Sequence, residues 1–435
     1  MISSCLPRTG PADEFLPTLD SLVSPYGVVA AVGPAGAAFR GPAQLAQFRA
    51  TAGRGAGRSK TKALAGGGRA LGSPAQARLV AIAEAAERYA AGDFLGEPRV
   101  HATYAELDGL VLDPARFPRC SAAELRRPGC PVTPFDPKVP IRWVRGLELT
   151  SGEPVWVPAV MACYGLVGLS AAERFSYRIS TGYAVHTDPV QALAGGICEV
   201  VERDAIALTW LQRLPLPLAP VSSAGIEELT GWAERHFIQT YLFDATTDLG
   251  IPTVYCLQVA RYDDRVRHVV GCATAGDLTR AAEKALIETV SVRGALYTDE
   301  QPPADFAEFC SLTDGARYMG APERSAAFSF LTDGARRRPA PTRQALPGDP
   351  GAALASLIAV FAERGMPVAV VDRTSRELSD AGLTCVSVVI PDLQPMSLMP
   401  LAQFRAHPRL YDAPARMGFF TAPEEELNPW PQPFA

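Results

Sequence analysis

Three segments of the chain carry glutamates at a spacing that lets carboxylates on one helix act together. SPAQARLVAIAEAAER (Ser73 to Arg88) holds Glu84 and Glu87, and DPVQALAGGICEVVER (Asp188 to Arg203) holds Glu199 and Glu202. DLTRAAEKALIETVSV (Asp277 to Val292) holds Glu288, with Ser291 where the second acid would stand. Residues three apart on a helix share a face, about 5–6 Å apart at Cβ. Glu84 with Glu87, and Glu199 with Glu202, therefore each present two acids side by side. Apolar neighbours such as Ile82, Ile197 and Val200 imply that these helices are at least partly buried. Buried carboxylates facing one cavity resist ionisation unless a cation neutralises them. Mg2+ prefers oxygen ligands and commonly bridges carboxylates to phosphates. Arg88 and Arg203 directly follow the second glutamate of their copies, placed to hold phosphate oxygens or to pin a carboxylate. The competing reading is a set of amphipathic helices with Glu–Arg pairs on a solvated face. Three copies in register weigh against it.

The elements that must position these acids are marked locally. Each helix opens on a capping residue, Ser73, Asp188 or Asp277, whose side chain accepts from the free amides of the first turn. Pro74 and Pro189 follow at the first helical position, where a missing N–H costs nothing. Glycine precedes each cap: Gly66-Gly67-Gly68, Thr181-Gly182, and Gly271 with Gly276. Such a close backbone approach suits a bound anion or a crowded packing point. Elsewhere, Ile141 to Leu149 and Val155 to Val157 read as a hairpin. Ile251 to Ala260 and Val266 to Cys272 read as a second strand pair, and Val368 to Asp372 and Cys385 to Ile390 as buried strands. Residues 335–350 are Pro- and Arg-rich and read as an exposed linker. The expected organisation is an N-terminal segment, 1–60, joined to a catalytic domain, 61–435, of mixed α/β class.

Composition bounds the function. The 435 residues carry a net charge of -5 and are 48% hydrophobic, which fits a globular protein and argues against a general nucleic-acid binder. No transmembrane stretch or signal peptide is visible, which points to the cytoplasm. Nine cysteines without CxxC spacing and five histidines without HExxH give neither a disulfide framework nor a zinc motif. GxxxxGK[ST] is absent, so a nucleotide site here is not a P-loop.

The chain resembles the YcaO family. The matching stretches are AIAEAAERY ending at Tyr89, STGYAVHTDPVQALAGGICEVVERDA from Ser180 to Ala205, the hairpin IRWVRGLELTSGEPVWVPA, VAVVDRT at Val368 and VIPDLQPMSL at Val389. The ending PWPQPFA places Pro429, Pro431 and Pro433 in a PxPxP pattern before Ala435. That tail looks like the one with which the azoline-forming subgroup reaches toward its active site; the alternative is a solvated Pro-rich end. The resemblance implies a fold with repeated Gly-turn/helix units around a central ATP cavity. It implies that Glu84, Glu87, Glu199 and Glu202 hold Mg2+ around ATP and that Arg203 contacts phosphate. Arg88 would support the carboxylates, Glu288 would complete the site, and Ser180, Gly182, Thr187 and Gln191 would lie near the nucleotide. The implied reaction is cyclodehydration of Cys, Ser or Thr in a ribosomally made precursor peptide to thiazoline or oxazoline. The implied partners are that peptide, a separate leader-binding protein and a second copy of the chain. Val80, Thr187, Gln191 and Ser291 depart from the family pattern. They leave open a scaffold subunit without ATP turnover, and the shared amide activation leaves open thioamide or amidine formation.

Overall fold

The computed structural model describes residues 18–35, 41–53, 65–93, 99–309, 311, 313–333 and 341–435. Thirteen strands and six helices of eight residues or more follow one another among them. The first are β1 (Val29–Pro34), β2 (Leu45–Ala52), β3 (Ala65–Leu71) and α1 (Pro74–Ala90). Next come β4 (Arg99–Ala102), β5 (Leu110–Val111), β6 (Ile141–Glu148), β7 (Pro154–Pro158), β8 (Tyr183–His186), α2 (Pro189–Leu211) and α3 (Ala224–Arg235). Then follow β9 (Gln239–Asp244), β10 (Thr253–Val259), β11 (His268–Thr274) and α4 (Leu278–Leu296). The last are α5 (Pro350–Ala362), β12 (Ala369–Asp372), β13 (Thr384–Val389) and α6 (Arg409–Arg416). None of these helices is long and apolar enough to cross a membrane.

The strands form three sheets: β1-β2-β3, β11-β10-β9, and a seven-stranded sheet in the order β5-β7-β6-β12-β13-β8 with β4 paired to β6. Each of the three glutamate helices leaves a strand of a different sheet, β3 into α1, β8 into α2 and β11 into α4. The repeated cap-and-helix signal is thus a strand–cap–helix unit used three times. The caps act as expected. Ser73 accepts from the Gln76 amide, Asp188 from Val190 and Asp277 from Arg280.

The glycines before the caps are packing points. A Cβ on Gly68 would stand 1.8 Å from the Ala77 carbonyl oxygen of α1, and one on Gly271 2.7 Å from that of Ala285 on α4. Gly182 has φ +85° and would meet the Val388 oxygen at 2.1 Å. Small residues on the facing helices, Ala77, Ala81 and Ala85 on α1, are buried and complete the close contact.

The hairpin β6–β7 and the strands β12 and β13 stand where the sequence places them. The pair over 251–272 gains a third member, β9, which the pattern did not reveal. Residues 335–340 of the expected linker lie outside the described residues, and 341–349 run without helix or strand. The tail is held inside. Trp210 Nε1 donates to the Trp430 carbonyl at 3.1 Å, and the Phe434 ring meets Tyr255 edge-on at 5.4 Å. Pro431 to Phe434 are buried, whereas Pro429 is exposed. The reading of a solvated end is therefore set aside, because Phe434 brings enough apolar surface to hold the tail in the core.

Candidate functional site

Helices α1, α2 and α4 bring Glu84, Glu87, Glu199, Glu202 and Glu288 together, all 9% exposed or less. Charge couples the three helices. Arg88 of α1 interacts with Glu199 of α2 as well as with its own Glu84 and Glu87. Arg203 of α2 interacts with Glu288 of α4 as well as with Glu199 and Glu202.

The hydrogen bonds show how the acids are aimed. Gly67 N donates to Glu84 Oε2 at 2.7 Å, and Arg88 donates to Glu84 Oε1 at 3.2 Å and Glu87 Oε1 at 2.8 Å. Thr274 N at the end of β11 donates to Glu202 Oε2 at 3.1 Å. Arg203 pairs with Glu199 at 3.5 Å. Glu87 Oε2 is buried with no hydrogen-bond partner.

Burial, reinforced by Glu199 and Glu84, pushes the Glu87 carboxyl up to about 7. Burial, reinforced by Glu288 and Glu199, pushes Glu202 up to about 8. Burial also raises Glu288, against the pull of Arg69 and Arg203. Five carboxylates thus face three guanidinium groups, Arg69, Arg88 and Arg203. Fully ionised, the cluster carries two negative charges in excess. An all-oxygen donor set with that surplus and an unpartnered buried carboxylate oxygen fits a hard divalent cation.

A pH prediction follows. The unfolded glutamates ionise near pH 4.5, whereas folded Glu87 and Glu202 hold their protons to about 7 and about 8. Between these values the folded state binds more protons, so the contribution of both groups to stability falls as pH rises. Melting temperature measured between pH 5 and 8.5 without ligand will decline for the wild type. The decline will be shallower for Glu202→Gln, which cannot ionise.

A cavity of about 390 Å3 opens beside the cluster between β3, α1, α3 and α4, with Glu202 and Glu288 in its wall. Its other charged or amide side chains are Arg69, Gln76, Arg280, Glu283 and Lys284. The sequence reading missed these five. Arg280, Lys284 and Glu288 follow one another at i, i+4 and i+8, a one-face pattern that could have revealed two of them. Val80 lines the same cavity. Ser291 turns back on its own helix, donating to the Ile287 carbonyl at 2.8 Å.

Other expected residues stand apart from this wall. Gln191 Nε2 donates to the cap residue Asp188 at 3.3 Å, about 12 Å along the axis of α2 from Glu199. Ser180 accepts from the Tyr183 amide through its carbonyl, and Gly182 serves the strand contact described above. Thr187 is half-buried beside the cap. At the other end of the chain, Ala435 packs with Val266, Val292 and Leu296, one turn of α4 beyond Glu288.

A family model described as YcaO cyclodehydratase, ATP- and Mg2+-binding, matches residues 67–394. An uncharacterized protein in the tfuA 3′ region of Rhizobium leguminosarum bv. trifolii is 37% identical over 170 residues, covering 35% of this chain and 39% of that one. An uncharacterized protein of Methanothermobacter thermautotrophicus is 28% identical over 242 residues, covering 54% and 58%. The chain thus spans less than two thirds of the curated relatives it matches. Among solved structures, a heterocyclase in complex with substrate and cofactor superposes with TM-score 0.80 at 23% identity, covering 98% of this chain and 58% of that one. YcaO from Methanopyrus kandleri bound with AMPPCP and Mg2+ gives TM-score 0.64 at 20% identity, covering 91% and 94%. The E. coli microcin synthetase McbBCD complex with pro-MccB17 bound gives 0.63 at 14%, covering 93% and 96%. These likenesses establish a shared fold.

Proposed function

The chain belongs to the YcaO family, which binds ATP and Mg2+, and on that premise we propose that it is an ATP-dependent cyclodehydratase of Cys, Ser or Thr in a precursor peptide. The observation that carries this reading is the buried five-carboxylate cluster with its surplus negative charge, beside a cavity lined by three basic side chains. Glu84, Glu87, Glu199 and Glu202 would hold Mg2+, with Arg88 orienting the first pair. Among the described residues no three acidic, His or Cys groups stand close enough to hold a metal by themselves. Phosphate oxygens would therefore have to supply further ligands to an ion held among these four acids. Arg203, Arg69, Arg280 and Lys284 neutralise the triphosphate, and Glu288 closes the site from α4. Ser180, Gly182, Thr187 and Gln191 border the nucleotide from the start of α2.

The substrate thiol or hydroxyl gives up its proton and attacks the preceding carbonyl carbon, and the resulting oxyanion takes the γ-phosphoryl group of ATP, releasing ADP. Loss of phosphate and of the amide proton leaves the azoline. Mg2+ supplies charge neutralisation as phosphoryl transfer proceeds. The protein contributes fixed charges and position, so no side-chain nucleophile is required. The tail residues Pro429, Pro431, Pro433 and Ala435 border the reacting peptide. The E. coli relative is a synthetase complex bound to a pro-peptide, which supports a peptide substrate and a separate leader-binding partner here. The enzyme acts in the cytoplasm, and a homodimer is compatible with the reading.

The test is calorimetric titration of the chain with ATP and Mg2+, followed by mass spectrometry of a precursor peptide treated with chain and partner. ATP binding and loss of one water per ring are expected. Lack of ATP affinity, with and without the partner, would defeat the reading, and replacement of oxygen by sulfur would move it to thioamide formation.

A further inference from the structure

A cavity of about 1130 Å3 shares no wall residue with the cavity beside the glutamates. Arg409 in its wall bonds Asp204 of α2 at 2.7 Å. Asp204 points about 140–160° around the helix from Glu199 and Glu202, so this cavity lies behind the helix that carries half of the acidic cluster. A more apolar cavity of about 390 Å3 shares Arg116 and Met366 with it, so the two adjoin along one trough-shaped stretch of the surface. The rim of the apolar end is β5, the edge strand of the seven-stranded sheet. Among the described residues its outer edge pairs with no strand.

Each arginine of the trough is paired with an acid. Arg409 also meets Asp248 at 2.7 Å, Arg416 meets Asp248 at 3.3 Å, and Arg116 meets Asp392 at 2.7 Å. A free phosphate must break one of these pairs to bind. A peptide backbone need not, because it is neutral and offers a donor and an acceptor at nearly every residue. An open strand edge beside an apolar wall is the arrangement that binds extended peptides, through main-chain pairing and alternate side-chain pockets.

We propose that this trough docks an extended segment of the peptide substrate, away from the residue that reacts. The proposal rests on the reading of the chain as a peptide-modifying enzyme. It adds a recognition site on this chain to the one expected on a separate partner. Through Arg409 and Asp204 the docked segment touches α2 two residues after Glu202.

The experiment selects random displayed peptides about a dozen residues long on the full chain. Enriched sequences, labelled with fluorescein, are titrated by anisotropy against wild type, Met366→Trp and Thr342→Trp. Met366 stands where the two cavities join, and Thr342 is exposed at the rim. Both variants will weaken peptide binding at least about tenfold and leave ATP affinity, measured by calorimetry, unchanged. Failure to enrich any peptide, or equal binding by wild type and variants, overturns the proposal. A chain that binds peptides in the trough but never binds ATP would keep this site and discard the ATP-dependent activity. Unimpaired ATP binding with no trough-dependent peptide would do the reverse.

Discussion

Glu199→Ala will weaken Mg2+-dependent ATP binding by about 100-fold or more, roughly 2.7 kcal/mol, while the ligand-free protein melts no lower than wild type. The opposite signs come from one cause. Glu199 stands between Arg203 and the α1 acids, and its charge helps push Glu87 up to about 7. Removing it relieves repulsion among buried carboxylates, which the empty site feels as a cost. The same charge is needed once a dication and a triphosphate are present. Calorimetric titration with ATP at fixed Mg2+, beside a thermal melt at pH 8 without ligand, separates the two effects. A residue that merely held α2 in place would lose both. Retention of wild-type ATP affinity would remove Glu199 from the metal-binding set.

Arg409→Leu will destabilise the fold by about 3–5 kcal/mol, the usual consequence of leaving a buried charge without its partner. Arg409 donates from Nε and Nη2 to Asp204, and both side chains are 2% exposed or less. Asp248 retains Arg416 when Arg409 is lost, whereas Asp204 keeps only the Gln394 amide. The double variant Asp204→Leu/Arg409→Leu will recover much of the loss, because an apolar pair of similar volume needs no desolvation of charge. Thermal melts of the two variants and of Asp204→Leu form the double-mutant cycle that measures it. Additive losses would show that the pair contributes nothing beyond its two side chains.

The three glutamate helices were legible because everything that defines them is local. A cap on each helix, and in α1 and α2 a proline at the first helical position and acids three apart, lie within a few turns of one another, and so do the glycines that let each helix approach its strand. Hairpin β6–β7 and the apolar strands β12 and β13 were legible for the same reason. Strand β9 was not, because Gln239–Asp244 alternates weakly and is defined by its pairing with β10. Arg69 and Gln76 were missed because nothing in their own segments says that α4 lies across from them.

The sequence by itself determined that paired carboxylates would stand on helix faces, since spacing along a 3.6-residue turn decides which side chains share a face. It could not decide which acids would meet. In the run Glu202-Arg203-Asp204 three charges stand side by side, and only the packed structure sends Glu202 toward α4 and Asp204 to an arginine 205 residues away. It likewise took the tertiary structure to draw the proline-rich tail into the core against Tyr255. Partners far apart in the chain are chosen by how the three sheets assemble, because the burial that fixes a long-range contact is a property of the assembled layers.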